Sequence, residues 1–219
     1  GVLAGGLGVE RKARFLYRQK HIDESAETKE NRLVCAYAFA VSEQNASAGT
    51  IVTAPTCGAS GVLPAVLKYA QERRGYSDDS IVRALAAGGI VGNLIKTNAS
   101  ISGAECGCQA EIGVAVSMAS AALCSMMTDD PDTIHCAASL GGQVLMGLLC
   151  NPIEGYVQVP CIVRNMAAVP TAVTCANAAL AGMDHIVPLD NVVALMLAVG
   201  EKIRPCDEAG TYILEKEEE

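Results

Sequence analysis

Ten cysteines in 219 residues are the side chains here most able to do chemistry. A thiolate is a nucleophile and a ligand for soft metals, whereas a thiol buried among apolar groups is inert filler. Local setting therefore has to separate the two. Cys35, Cys124, Cys136 and Cys175 lie within Ala-rich helical stretches and read as filler. Cys108, Cys150 and Cys161 differ, because each falls where a helix meets a loop, beside Gly or Pro: Gly103-Ala-Glu-Cys-Gly-Cys-Gln-Ala-Glu111, Cys150-Asn-Pro and Val159-Pro-Cys. Thiolates at such junctions can converge on one iron–sulfur cluster, with helix-end N–H groups offsetting its negative charge. The spacing matches neither a compact ferredoxin run nor a zinc ribbon, and it leaves open whether Cys106 or Cys108 points inward. Cys57, in a Gly-rich loop, and Cys206, after Pro205, also remain open.

Around these residues the chain reads as helices. Leu33, Val34, Tyr37, Ala38 and Val41 recur at helical spacing over residues 31–42. The run Gly49 to Gly61 is rich in Gly, Thr and Pro and leads into a helix with Pro64 in its first turn, where a missing N–H costs nothing. Ser77 caps a helix over about residues 81–96, and the segment from Asn98 to Gly103 breaks the pattern. Further helices are expected from Cys108 to Met127, from the Asp129-Asp-Pro-Asp cap to Leu149, from Cys161 to Ala181 and from Leu189 to Lys202. No strand alternation and no repeat is found. The expected fold is all-α: a compact helical domain over residues 1–210 with buried Ala/Gly-rich central helices and functional loops, then an acidic tail over 211–219. The opening Gly1-Val-Leu-Ala-Gly-Gly-Leu-Gly reads as flexible, and its abrupt apolar start suggests a chain cut from something longer.

Composition narrows the functions further. Sixteen basic against 24 acidic residues give a net charge of −8, with no face that concentrates Lys and Arg, which argues against nucleic acid. A chain that is neither small nor loop-rich, and has no signal peptide at its start, does not fit a disulfide framework; reduced thiols in a cytoplasmic setting are expected. The stretches 133–153 and 165–183 run about 20 residues without an ionised side chain, long enough to span a bilayer. Gln143, Gly141-Gly142, His135, Pro170 and Asn177 suit them instead to the buried centre of a water-soluble domain, so no membrane association is expected.

Three long strings in fixed order carry a resemblance: Thr53-Ala-Pro-Thr-Cys-Gly-Ala-Ser-Gly, then Asn98-Ala-Ser-Ile-Ser-Gly-Ala-Glu-Cys-Gly-Cys-Gln-Ala-Glu-Ile-Gly, then Cys150-Asn-Pro-Ile-Glu-Gly-Tyr-Val-Gln-Val-Pro-Cys-Ile-Val-Arg-Asn165. The sequence resembles the α domain of iron–sulfur L-serine dehydratases over about residues 1–170. By motif position the resemblance implies a [4Fe–4S] cluster on Cys108, Cys150 and Cys161, with no pyridoxal phosphate. Three protein ligands leave one iron open as a Lewis acid for converting L-serine to pyruvate and ammonia. It further implies an amino-acid substrate held by Thr53, Thr56, Gly58, Ala59 and Ser60, with Asn98, Ser100 and Ser102 on the facing wall, although loop capping accounts for the same residues equally well. His21, His135 and His185 lie outside the matched strings. The general base is therefore expected from a second region, a fused domain or separate β subunit, and an oligomer is expected.

Departures from the family pattern bear on the substrate. Asn151 and Val163 stand where the cluster loop of the family carries acids, Val144-Leu145 precede Cys150 where relatives have Asn or His, and Arg204 to Leu214 replaces the usual Gly-rich close. A related lyase acting on threonine or cysteine, or a cluster-bearing subunit without turnover, therefore remain as alternatives. Cys206 is a candidate fourth ligand. A pyridoxal-phosphate enzyme with Lys96 as its Schiff-base residue is disfavoured by the absence of an α/β pattern.

Overall fold

The structure is a computed structural model that describes residues 1–20, 23–184 and 186–203. Among these it contains nine α-helices and no strand: α1 Ala13–Arg18, α2 Ala26–Ala46, α3 Val62–Arg74, α4 Asp78–Asn98, α5 Gly103–Cys106, α6 Val114–Ser125, α7 Pro131–Gln143, α8 Cys161–Leu180 and α9 Leu189–Gly200. A π-helical turn, Gln109–Gly113, joins α5 to α6, and a 3-10 turn, Ile153–Gly155, lies in the loop before α8. The all-α expectation is met. His21, His185, Cys206 and the tail over 211–219 lie outside the described residues.

Helix α6 is the hub. Every residue from Val114 to Cys124 is buried, as expected of a helix that is apolar all round and surrounded by others. It packs against α3, α4, α7 and α8. Its polar side chains bond to backbone: Ser117 Oγ donates to Ala138 O at 2.7 Å, and Ser120 Oγ to Val116 O at 2.7 Å and Ala172 O at 3.2 Å. Small residues set the helix separations. A Cβ on Gly141 would lie 2.8 Å from Ser117 Cα, and one on Gly88 3.0 Å from Met118 O. With so few aromatic rings available, close backbone approach fills the core instead of large side chains.

Helix starts follow the expected chemistry. Ser25, Ser77 and Asp130 each accept an N–H bond from the third residue onward, at 3.2, 3.2 and 3.1 Å. The opening segment, expected to be flexible, is instead tied down. Val2 bridges Glu10, Leu3 is buried, and Gln158 Nε2 donates to Ala4 O at 2.7 Å. Buried Glu43 accepts the backbone N–H of Lys12 at 2.5 Å and of Ala13 at 3.0 Å, satisfying donors at the start of α1.

Two boundaries differ from expectation. The helix expected from Cys108 is interrupted by the π turn before α6 begins. Helix α7 stops at Gln143 instead of running to Leu149, because Gly147 turns at φ +85° and gives its N–H to Gln109 Oε1 at 2.8 Å. No helix among the described residues is long and apolar enough to cross a membrane.

The close contact between α6 and α7 generates a test. Gly141→Ala puts a methyl against backbone that cannot rotate away, and should lower unfolding free energy by about 1–3 kcal/mol, read from urea denaturation. Unchanged stability would show that the two helices are farther apart than described.

Candidate active site

The site assembles from three connecting segments. The first begins at Ser102, which caps α5 by accepting the Glu105 N–H at 3.4 Å. Gly107 follows at φ +72°, and a Cβ there would lie 2.7 Å from Leu148 O. Only glycine permits both that conformation and that approach, and the contact brings the Cys108 segment against the one carrying Cys150. The π turn then starts, with Cys108 O accepting N–H bonds from Glu111, Ile112 and Gly113 at 3.1, 2.7 and 3.2 Å. Such turns rotate the following residues out of ordinary helical phase and are frequent at functional sites.

Packing sets the two neighbouring thiols apart. Cys106 is buried against α9, where a Cβ on Gly200 would lie 2.6 Å from its sulfur. Cys108, also buried, faces the other way and shares a hydrogen bond with Cys150. That bond pushes the Cys108 thiol up, helped by burial, and holds the Cys150 thiol below its ordinary range. The two sulfurs are thus close enough to share a proton. Cys161 opens α8 and is close enough to feel the charges of Cys108 and Glu111. Burial first, then those charges, push its thiol up to about 12. Arg164 opposes the rise at Cys161 and Cys108.

Arg164, one turn into α8, ties the segments together. Nη1 donates to Cys108 Sγ at 3.1 Å and to Leu149 O at 3.0 Å, and Nη2 to Asn151 Oδ1 at 2.7 Å. Asn151 thus supplies an oxygen to Arg164 without the negative charge an aspartate would add. The next residue, Asn165, reaches the third segment: its Nδ2 donates to Gly58 O at 2.6 Å and Cys161 O at 2.9 Å, and its Oδ1 accepts the Gly61 N–H at 2.9 Å.

Glu111 closes the arrangement. It accepts the Thr56 hydroxyl and is flanked by two glycines. A Cβ on Gly58 would lie 2.5 Å from its Oε1. One on Gly103 would lie 2.9 Å from its Oε2 and 3.3 Å from Cys150 Sγ. The carboxylate therefore occupies space that side chains at those two positions would fill, directly beside the sulfurs.

The remaining expected site residues are placed as follows. Thr56 and Gly58 meet Glu111, whereas Thr53 is exposed and Ala59 is buried in the core. Ser60 is buried, with its hydroxyl on Cys57 O at 2.7 Å. Asn98 Nδ2 returns to Leu94 O at 2.8 Å, and Ser100 Oγ donates to Glu105 Oε2 at 2.6 Å while accepting the Ser102 N–H at 3.0 Å. These polar groups are engaged within their own segments, as loop capping requires. His135 accepts the Leu189 N–H at 3.2 Å. Glu111, Arg164 and Asn165 had no role assigned from sequence. The available signal was their position, three or four residues beyond Cys108 or Cys161 on the same helical turn.

The model of the serine dehydratase alpha chain matches residues 1–208. This chain belongs to that family. It is 44% identical over 202 residues to an L-serine dehydratase of Streptomyces coelicolor, covering 91% of this chain and 44% of that protein. It is 43% identical over 206 residues to L-serine dehydratase 1 of Escherichia coli, covering 92% and 45%. To the L-serine dehydratase alpha chain of Peptoniphilus asaccharolyticus it is 43% identical over 168 residues, covering 77% and 58%. The chain thus spans about half the length of these relatives, and the strings around Cys108, Cys150 and Cys161 lie inside the family match.

Because Asn165 satisfies three buried backbone groups, Asn165→Ala should cost about 2–4 kcal/mol in urea denaturation and speed hydrogen exchange at the Gly61 amide. Exchange at Gly61 as slow as in the wild type would contradict the described link between α8 and the Thr56 loop.

Proposed function

We propose that this family member is the cluster-bearing part of an L-serine dehydratase, which converts L-serine to pyruvate and ammonia. The single observation carrying this reading is the gathering of Cys108, Cys150 and Cys161 around one Arg164, within a chain that matches the serine dehydratase alpha chain almost end to end. The donor set suits a [4Fe–4S] cluster. A cube binds each thiolate to a different iron and so calls for sulfurs that neighbour one another. When bound, a cluster on three thiolates supplies an iron free of protein ligands, a Lewis acid that makes the substrate hydroxyl a tolerable leaving group.

The chain's own residues would do the rest. Arg164 places a positive charge on Cys108 and holds the Leu149 carbonyl and the Asn151 side chain, fixing two of the sulfurs relative to each other. Asn165 anchors the loop from Thr53 to Ser60 over them, where Thr56 and Gly58 stand nearest to the reacting space. Asn98, Ser100 and Ser102 form the facing wall. Gly103 and Gly58 put no side chain between this loop and Cys150, so the Glu111 carboxylate stands there beside the sulfur. Removal of the α-proton is assigned to the region of the relatives that this chain does not cover, a β domain or β chain; the name of the Peptoniphilus relative, an alpha chain, supports the separate form. No pyridoxal phosphate is needed.

Anaerobically prepared protein, joined with that second region, should contain about four irons and four sulfides and release pyruvate from L-serine. Cys108→Ser, Cys150→Ser and Cys161→Ser should each lose iron and turnover, whereas Cys124→Ser should keep both. Retained iron in all three ligand variants would overturn the reading. Release of 2-oxobutyrate from threonine or sulfide from cysteine in preference to pyruvate from serine would move the substrate assignment.

A further inference from the structure

Glu111 carries a charge that no cation among the described residues balances. Its carboxylate lies beside three sulfurs, all of which feel its negative charge. Among the described residues no lysine or arginine comes within ion-pair distance of it. Arg164, the cation nearest at hand, is committed to Cys108, Leu149 and Asn151. A partly buried carboxylate is costly unless something positive meets it. Among the described residues the side-chain group bonded to Glu111 is the Thr56 hydroxyl, which donates a hydrogen bond but no charge.

The backbone on both sides of the carboxylate is bare glycine. Gly58 abuts Oε1 and Gly103 abuts Oε2, and neither presents a side chain. The Oε2 edge faces the same glycine as Cys150 Sγ, so a small molecule beside that sulfur would also lie beside the carboxylate. Glu111 is half-buried, sheltered enough for an ion pair to matter and open enough for a ligand to arrive. We propose that Glu111 receives the α-ammonium group of the amino-acid substrate, with Thr56 orienting the carboxylate, and so selects α-amino acids over the corresponding hydroxy acids. The inference rests on the reading given under Proposed function and deepens it. Glu111 is then a substrate-binding residue rather than the proton acceptor.

The test uses the full-length enzyme with its cluster, under anaerobic conditions. L-serine and 3-hydroxypropionate, which is serine without its amino group, are titrated separately while the cluster's absorption and paramagnetic spectrum are followed. Wild type should prefer serine. Glu111→Gln keeps the size of the side chain and its bond to Thr56 but removes the charge. It should weaken serine by about 10- to 100-fold, the range for losing a charged hydrogen bond, and leave 3-hydroxypropionate unchanged or tighter. Glu111→Asp, which retains the charge, should restore part of the preference, and KM should move more than kcat. Undiminished preference for serine in Glu111→Gln overturns the inference alone. So does equal weakening of both ligands, which would indicate a structural role, or a fall in kcat with serine binding intact, which would indicate proton transfer. A wild-type enzyme whose cluster responds to neither ligand overturns the parent reading and this inference with it.

Discussion

The first turns of α8 hold the site together. Cys161, Arg164 and Asn165 sit at the helix start with spacings that put them on one face, and each points to a different part of the chain. Cys161 supplies a sulfur, Arg164 grips Cys108, the Leu149 carbonyl and the Asn151 side chain, and Asn165 grips Gly58 and Gly61. None of the three connecting segments is regular enough to hold its position through its own ladder of hydrogen bonds. What fixes them is a rigid helix end whose polar groups are all used. The Arg164 charge serves twice, as a donor for otherwise free carbonyl oxygens and as compensation for sulfur.

The π turn performs a similar service on the opposite side. Gln109 is almost completely buried, donates to Met196 O at 2.9 Å and accepts from Gly147 N at 2.8 Å. In a low-dielectric interior a polar side chain satisfied at both ends is a strong positional restraint. It connects α9 to the turn before Cys150. Two residues later Glu111 projects toward Thr56. One irregular turn thereby serves both the scaffold and the site.

The two levels of organisation were unequally legible in the sequence. Helices with apolar periodicity or a capping residue, such as the part of α2 over residues 31–42, α4 after Ser77 and α8 from Cys161, follow from local rules, whereas the first turn of α2 and its Ser25 cap were not read. The end of α7 does not follow from such rules, because Gly147 is diverted by a glutamine 38 residues away in sequence. Likewise Cys106 and Cys108 are equivalent by spacing, and only the packing of Cys106 on Gly200 separates them. Arg164 and Asn165 stood in view within a recognised string, yet their partners lie up to 107 residues distant. The cap-forming side chains of Asn98, Ser100 and Ser102 show the reverse case. Local chemistry predicts their bonds well and says little about whether a substrate also touches them.

The central claim is that three thiolates of this chain hold one cube with a single iron left for substrate. Mössbauer spectroscopy of the enzyme, reconstituted anaerobically with isotopically enriched iron, tests it most directly. The account predicts one iron site distinguishable from the other three, whose signal alone shifts when L-serine is added. Four equivalent irons indifferent to serine would contradict it.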